Sequence, residues 1–183
     1  MVLREFVFIF ILFTLSCSEE IASNEVAVRK DQVSVEVGKD VEILYSDSAI
    51  VRIKITAPLM YNYTENEQKQ TFPQGIRIEF FDANAVSQSV LTAKNATRKL
   101  SEKLVIIRDS IEWHSVKQEN LFTEELNWDE ANNSIFTKKF VKITRPGEKM
   151  FGYDFKSNQD FTKWELSTGS GWVKSDALTK EIE

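Results

Sequence analysis

Apolar and polar residues alternate along most of this chain. In VRIKITA, Val51, Ile53, Ile55 and Ala57 alternate with Arg52, Lys54 and Thr56. IRIEF sets Ile76, Ile78 and Phe80 against Arg77 and Glu79, and VKIT does the same with Val141 and Ile143. A period of two with one wet face marks antiparallel strands. Turn residues separate these runs: Asp47-Ser48, Pro73-Gln74-Gly75, Asp82-Ala83-Asn84, Asn132-Asn133 and Pro146-Gly147. The body of the chain carries no convincing helical stripe. Residues 95–104 are open to a short helix, but Thr97 and the repeat described next favour a strand.

A second, longer regularity overlies the alternation. Leu91, Ala93 and Ala96 in LTAKNA, Leu121, Thr123 and Leu126 in LFTEELNWD, and Met150, Gly152 and Phe155 in MFGYDF share an apolar, small, apolar order at steps 0, +2 and +5. The copies lie about thirty residues apart, the signature of a stacked β-repeat in which each copy is a pair of strands. The repeat predicts that Leu91, Leu121 and Met150 line up as one internal row, and Ala96, Leu126 and Phe155 as another. By the same parity the inward set comprises Ile53, Ile55, Ile78, Phe80, Leu91, Ala93, Leu126, Trp128, Val141, Ile143 and Phe155. Such a set fills a closed core or lines a groove, and alternation alone does not separate the two. Gly152 stands where the other copies have Ala93 and Thr123, which fits either a bulge or a close approach of a neighbouring backbone.

The chain's 183 residues suffice for one domain with a real core. Its net charge of −5, without a basic block, argues against duplex nucleic acid as a partner. The start, MVLREFVFIFILFTLSC, has one early positive charge at Arg4 and an apolar run over residues 6–15. That run is shorter than the roughly 20 residues a spanning helix needs and fits the apolar core of a secretory signal. The single cysteine, Cys17, follows the small Ser16 and precedes the polar Ser18-Glu19-Glu20. This resembles a bacterial lipobox, although Thr14 stands where such boxes usually carry Leu. The expected organisation is a signal peptide over 1–16, a lipidated Cys17 with a polar tether over 17–39, an all-β domain over 40–168 and a polar tail over 169–183. With one cysteine, no internal disulfide stabilises the domain.

Chemistry-bearing motifs are few. His114 has no second His and no Cys beside it, so no metal site is expected. The sequence has no calcium loop, no nucleophile elbow and no Gly-rich phosphate loop, so neither a cofactor nor an enzymatic activity is expected. Glu124 and Glu125 point to opposite faces of a strand and do not make a glycosidase pair. Trp113, Trp128, Trp164 and Trp172 read as packing residues.

The ordered segments ITAPLMYNY, TFPQGIRIEFFD, SVLTAKNA, LFTEELNWD and GEKMFGYDF, behind an export signal, resemble the LptC family. That family provides the periplasmic bridge protein of the lipopolysaccharide export machine. The likeness covers about 41–166. It implies an all-antiparallel open β jelly roll (a β-taco, as in LptA-like proteins) anchored on the periplasmic face of the inner membrane. It further implies that the inward set lines a groove for the acyl chains of lipid A. Lipopolysaccharide would arrive from the permease subunits of an inner-membrane ABC transporter and leave to a soluble LptA-like jelly roll. Gly152, closing GEKMFG, falls in a family setting that lies by the edge meeting the next jelly roll. The short apolar run and Cys17 depart from relatives that carry a membrane-spanning helix, which implies a lipid anchor instead. The alternative is a β-sandwich lipoprotein acting as a surface binding or adhesion module. Ser18-Glu19-Glu20 favours it, since that stretch resembles the acidic tags of some surface-exposed Bacteroidetes lipoproteins.

Overall fold

A computed structural model describes residues 34–65 and 68–173; the signal segment, Cys17, most of the expected tether and the chain beyond Val173 lie outside the described residues. The alternation is realised as strands throughout. In order they are β1 (Val35–Asp47), β2 (Ile50–Tyr63), β3 (Lys69–Phe72), β4 (Ile76–Phe81), β5 (Ser87–Ala93), β6 (Asn95–Lys99), β7 (Leu104–Ser115), β8 (Asn120–Asp129), β9 (Ser134–Thr137), β10 (Val141–Arg145), β11 (Glu148–Asn158) and β12 (Trp164–Val173). All belong to one antiparallel sheet, with β1 hydrogen-bonded to β2 and β12 to β11 at its two ends. Residues 95–99 are strand, as the repeat required.

The sheet folds over because its long strands change partners along their length. β2 pairs with β4 through Ile53–Thr56 and with β3 through Tyr61–Tyr63. β7 pairs with β6 through Leu104–Arg108 and with β5 through Glu112–Ser115. β8 pairs with β10 near its start and with β9 near its end, and β11 pairs with the same two in the same order. Two layers result. One contains β4, β5 and β10, the other β3, β6 and β9, and the long strands run through both.

The crossings lie on one fold line, and each carries a backbone device. The β1–β2 ladder skips Asp40 (φ 48°) and Pro58. Pro58 has no N–H to offer a ladder, so it suits a gap in the pairing. In β7 the register shifts at Asp109 (φ 65°) and Ser110 (φ 52°), and in β11 Asp154 (φ 54°) is skipped. The β7 irregularity is a bulge and the other two are unpaired positions in an unshifted ladder; Asp40, Asp109, Ser110 and Asp154 all lie in the left-handed region that Asp tolerates better than most side chains. The orphaned groups find partners: Asp109 O accepts from Lys94 N at 3.0 Å, and Ser110 N donates to Glu124 Oε2 at 3.3 Å.

This fold line explains the repeat. A strand that crosses from one layer to the other loses one residue of alternation, so inward positions fall at +2 and then +3. Leu121 and Thr123 face inward in one layer, and Leu126 and Trp128 in the other. Met150 and Gly152 precede Asp154 with its positive φ, and Phe155 follows it. The two expected rows are present. Ile43, Ile55, Ile78, Leu91, Trp113, Leu121, Ile143 and Met150 are successive partners across the first layer. Phe72, Ala96, Ile107 and Leu126 run across the second, and Phe155 continues the row beside Thr137. A one-residue slip of any strand would turn its apolar set outward, which pins the register.

The strand body extends beyond the expected 40–168 at both ends. Val35 and Val37 of β1 are exposed, and β12 presents mostly exposed residues from Glu165 onward. Periodicity reports burial, and terminal strands joined by backbone bonds to one neighbour bury little.

Asp154→Val should destabilise the domain by about 1–2 kcal/mol, because a β-branched side chain is strained at positive φ. Asp154→Gly should be neutral or slightly stabilising. Urea unfolding of both variants checks this; equal losses would show that the carboxylate, not the backbone conformation, matters at the bend.

Candidate functional site

The space between the layers is the one region where the predicted residues converge. Ile53 and Ile55 enter it from β2, Ile78 and Phe80 from β4, and Leu91 from β5. Leu126 and Trp128 enter from β8, Val141 and Ile143 from β10, and Phe155 from β11. All of these are at most 3% exposed. Ala93 is only partly buried; it borders a cavity of about 540 Å³ beside the fold line, with Val41, Ala57, Pro58 and Ile76. The interior is therefore one apolar body whose rows cross the strands from β1 to β11.

Gly152 is buried one strand in from the sheet end, between Val141 of β10 and Gly169 of β12. A Cβ there would collide with the Thr168 carbonyl and sit 2.9 Å from Gly169 Cα. Of the two readings the sequence left open, a bulge or a close backbone approach, the second is found, the approaching strand being β12, so Gly152 reaches the end of the sheet only through β12.

Two groups absent from the inward set close the mouth opposite the fold line. Tyr45 of β1 sits opposite Ile53 and reaches across to the other layer, where its hydroxyl donates to Glu130 Oε1 at 2.8 Å. Arg98 Nε donates to Glu130 Oε2 at 3.1 Å, and its guanidinium lies 5.4 Å from the Tyr45 ring centre. Tyr45 also meets the Trp128 ring at 5.6 Å. Burial, and then the bond to Glu130, push the Tyr45 phenol well above its ordinary range. Further along the mouth, the loop between β11 and β12 inserts Phe161, which is 3% exposed. Its ring stacks on Trp113 at 4.7 Å and Phe155 at 6.3 Å, and meets Phe80 edge-on at 5.8 Å. Phe80 and Trp113 belong to the first layer and Phe155 to the second-layer half of β11, so one loop side chain bridges both. Neither residue had a sequence signal. Tyr45 stands in a mostly exposed strand, and Phe161 in a short polar loop.

The outer face is charged and conventional. Glu79 accepts from Arg77 and lies 3.0 Å from Lys54 Nζ; the Arg77 hydrogen bond foremost holds its carboxyl below the usual range. His114 points outward to Asn120 and Glu112.

Gly152→Arg should detach β12 while leaving the other strands in place. Hydrogen exchange should show lost protection over 164–173 and retained protection in β7 and β8, with a stability loss of about 1–3 kcal/mol from overpacking. Unchanged protection of β12 would mean the backbone yields more easily than the contact distances allow.

Comparison with known proteins follows from this geometry. No curated protein sequence matches the chain. Among solved structures, the crystal structure of LptH, the LptA homologous periplasmic component of the lipopolysaccharide transport device from Pseudomonas aeruginosa, aligns with a TM-score of 0.40 and 7% identity, over 77% of this chain and 95% of that one. The family model described as lipopolysaccharide-assembly, LptC-related, matches residues 6–170. That match spans nearly the whole chain, and the protein belongs to the LptC family.

Proposed function

We propose that this protein is the periplasmic bridge of a lipopolysaccharide export machine. It receives lipopolysaccharide from the permease subunits of an inner-membrane ABC transporter, holds the lipid A acyl chains between its two layers, and passes them to a soluble LptA-like jelly roll. The observation that carries this reading is the course of the apolar rows. They run across the strands, from Ile43 on β1 to Met150 beside β12, instead of closing on themselves at either end of the sheet. A neighbouring jelly roll added by edge pairing at either end would continue the same rows. Each buried CH₂ contributes about 0.8 kcal/mol with no preferred direction, so a chain lying along such a row is held and still slides. Val35 and Val37 on β1 leave that end exposed, in keeping with a connecting edge.

Cys17 supplies the anchor in this reading, as a diacylglyceryl cysteine that keeps the domain at the inner membrane. Intact-mass and N-terminal peptide analysis of the mature protein should find Cys17 as the first residue, carrying a diacylglycerol. A mature chain that retains Met1, or starts elsewhere, would remove the anchor from the proposal.

The groove is tested by photocrosslinking in living cells. A photoreactive phenylalanine at Phe80 should capture lipopolysaccharide, and the same probe at Leu126 likewise, with capture dependent on ATP hydrolysis by the transporter. Probes at Lys142 and Glu112, both exposed on the outer face, should capture little. Equal capture on both faces would defeat the assignment, and capture at Phe80 without ATP dependence would favour a passive lipid-binding lipoprotein.

A further inference from the structure

The loop that carries Phe161 is unusual for a turn between two strands. Its side chain is as buried as the core, yet its backbone sits at φ 59°, in the left-handed region that few non-glycine residues adopt. The loop's hydrogen bonds are largely internal. Phe161 N donates to Asn158 O at 3.1 Å, Asn158 N to Lys163 O at 3.1 Å, and Thr162 Oγ1 to Asp160 Oδ1 at 2.8 Å. Gln159 N donating to Asn133 O at 2.9 Å ties it to the β8–β9 turn. A segment bonded mainly to itself moves as a unit, and this one is held in place by one aromatic side chain and that one backbone hydrogen bond.

Phe161 also borders a cavity of about 180 Å³, with Ser89, Trp113, Glu119, Arg145, Asp160 and Trp164 among its other lining residues. Ser89 is 4% exposed and Trp113 5%, and neither the Ser89 hydroxyl nor the Trp113 indole nitrogen has a hydrogen-bond partner in the protein. Ser89 pairs with Phe80 across β4–β5, and Leu91, two residues on, pairs with Trp113, so both polar groups adjoin the rings that hold Phe161. A buried indole N–H is a donor only, and native interiors supply such groups with an acceptor. The seat itself is walled by the apolar faces of Phe80, Trp113 and Phe155. Apolar walls ending in buried donors select an apolar chain that terminates in a carbonyl or carboxylate.

We propose that Phe161 occupies, in the lipid-free protein, the seat of an acyl chain, and that the cavity it borders takes the carbonyl end of that chain, with the Trp113 indole N–H and the Ser89 hydroxyl as donors. The inference rests on the lipid-transfer reading above and adds to it a defined subsite and the side chain that must leave it. Displacing Phe161 exchanges one set of ring contacts for another, so the loop keeps the interior dry until a chain arrives. The strained backbone at Phe161 relaxes when the loop lifts, which lowers the barrier to exchange.

The test uses the full mature chain and a diazirine-bearing palmitic acid as the probe. Gln159→Cys with Asn133→Cys, placed across the hydrogen bond that ties the loop down, locks it shut when oxidised. The oxidised protein should capture the probe at least tenfold less than the wild type, with recovery on reduction. Phe161→Ala should bind it about tenfold more tightly. Since that variant removes a buried ring, thermal melting must first show it folded, and the reversible lock stands as evidence in its own right. Ser89→Ala should weaken binding of the acid while leaving binding of hexadecane unchanged. Equal capture by the oxidised and reduced lock would overturn the seat at Phe161 while leaving the lipid-transfer reading intact. Capture by no form of the protein, lock or variant, would overturn both.

Discussion

Everything in this structure depends on one sheet folding over its own inner face. A single antiparallel sheet with one apolar side has nothing to pack against unless another element covers it. This chain has no helix among its described residues to do so, and its sheet supplies both layers. The price of that solution is a bend in every long strand. Regular strands do not bend sharply, so the ladder is interrupted where they cross, at Asp40 and Pro58, at Asp109 and Ser110, and at Asp154. Short polar side chains serve there because they tolerate positive φ and can bond to neighbouring backbone. Once the bends are placed, the inward residues of both layers meet, and the core forms from rows that cross the strands.

The same geometry leaves the apolar rows open at both ends of the sheet. A sealed sandwich would cap its rows at each end. Here they run out to the terminal strands β1 and β12, whose outer edges have no strand beside them within the described residues. The mouth opposite the fold line is closed differently from the rest of the core. Tyr45, Arg98 and Glu130 join the layers by hydrogen bonds and ring contacts, and Phe161 joins them by stacking. These contacts involve one strand end and one loop, whereas the fold line is held by the ladders of β2, β7, β8 and β11 together. The layers are thus continuous at the fold line and joined by side chains at the mouth.

Much of this was legible in the sequence, because burial and strand geometry leave a period. The alternation in VRIKITA and IRIEF marks β2 and β4 and says which side faces in. The apolar, small, apolar repeat located the rows through Leu91, Leu121 and Met150 and through Ala96, Leu126 and Phe155, and its extra step records the bend itself. The outer parts of β1 and β12 bury too little to carry a pattern. At Gly152 the sequence left a bulge and a close backbone approach open, and neither the choice nor the approaching strand, β12, was legible.

The sequence by itself therefore determined the inner strands, their inward faces and the apolar rows, since each follows from local backbone geometry repeated along the chain. It also carried the family, through segments that keep their order over most of its length. Only the tertiary structure decided what closes the mouth. Tyr45 meets Glu130 across 85 positions of sequence, and Phe161 meets Phe80 and Trp113 from a loop with no period of its own. A contact between distant segments depends on where the bends aim each layer. That aim is set by the summed register of all the intervening ladders, and no single segment encodes it.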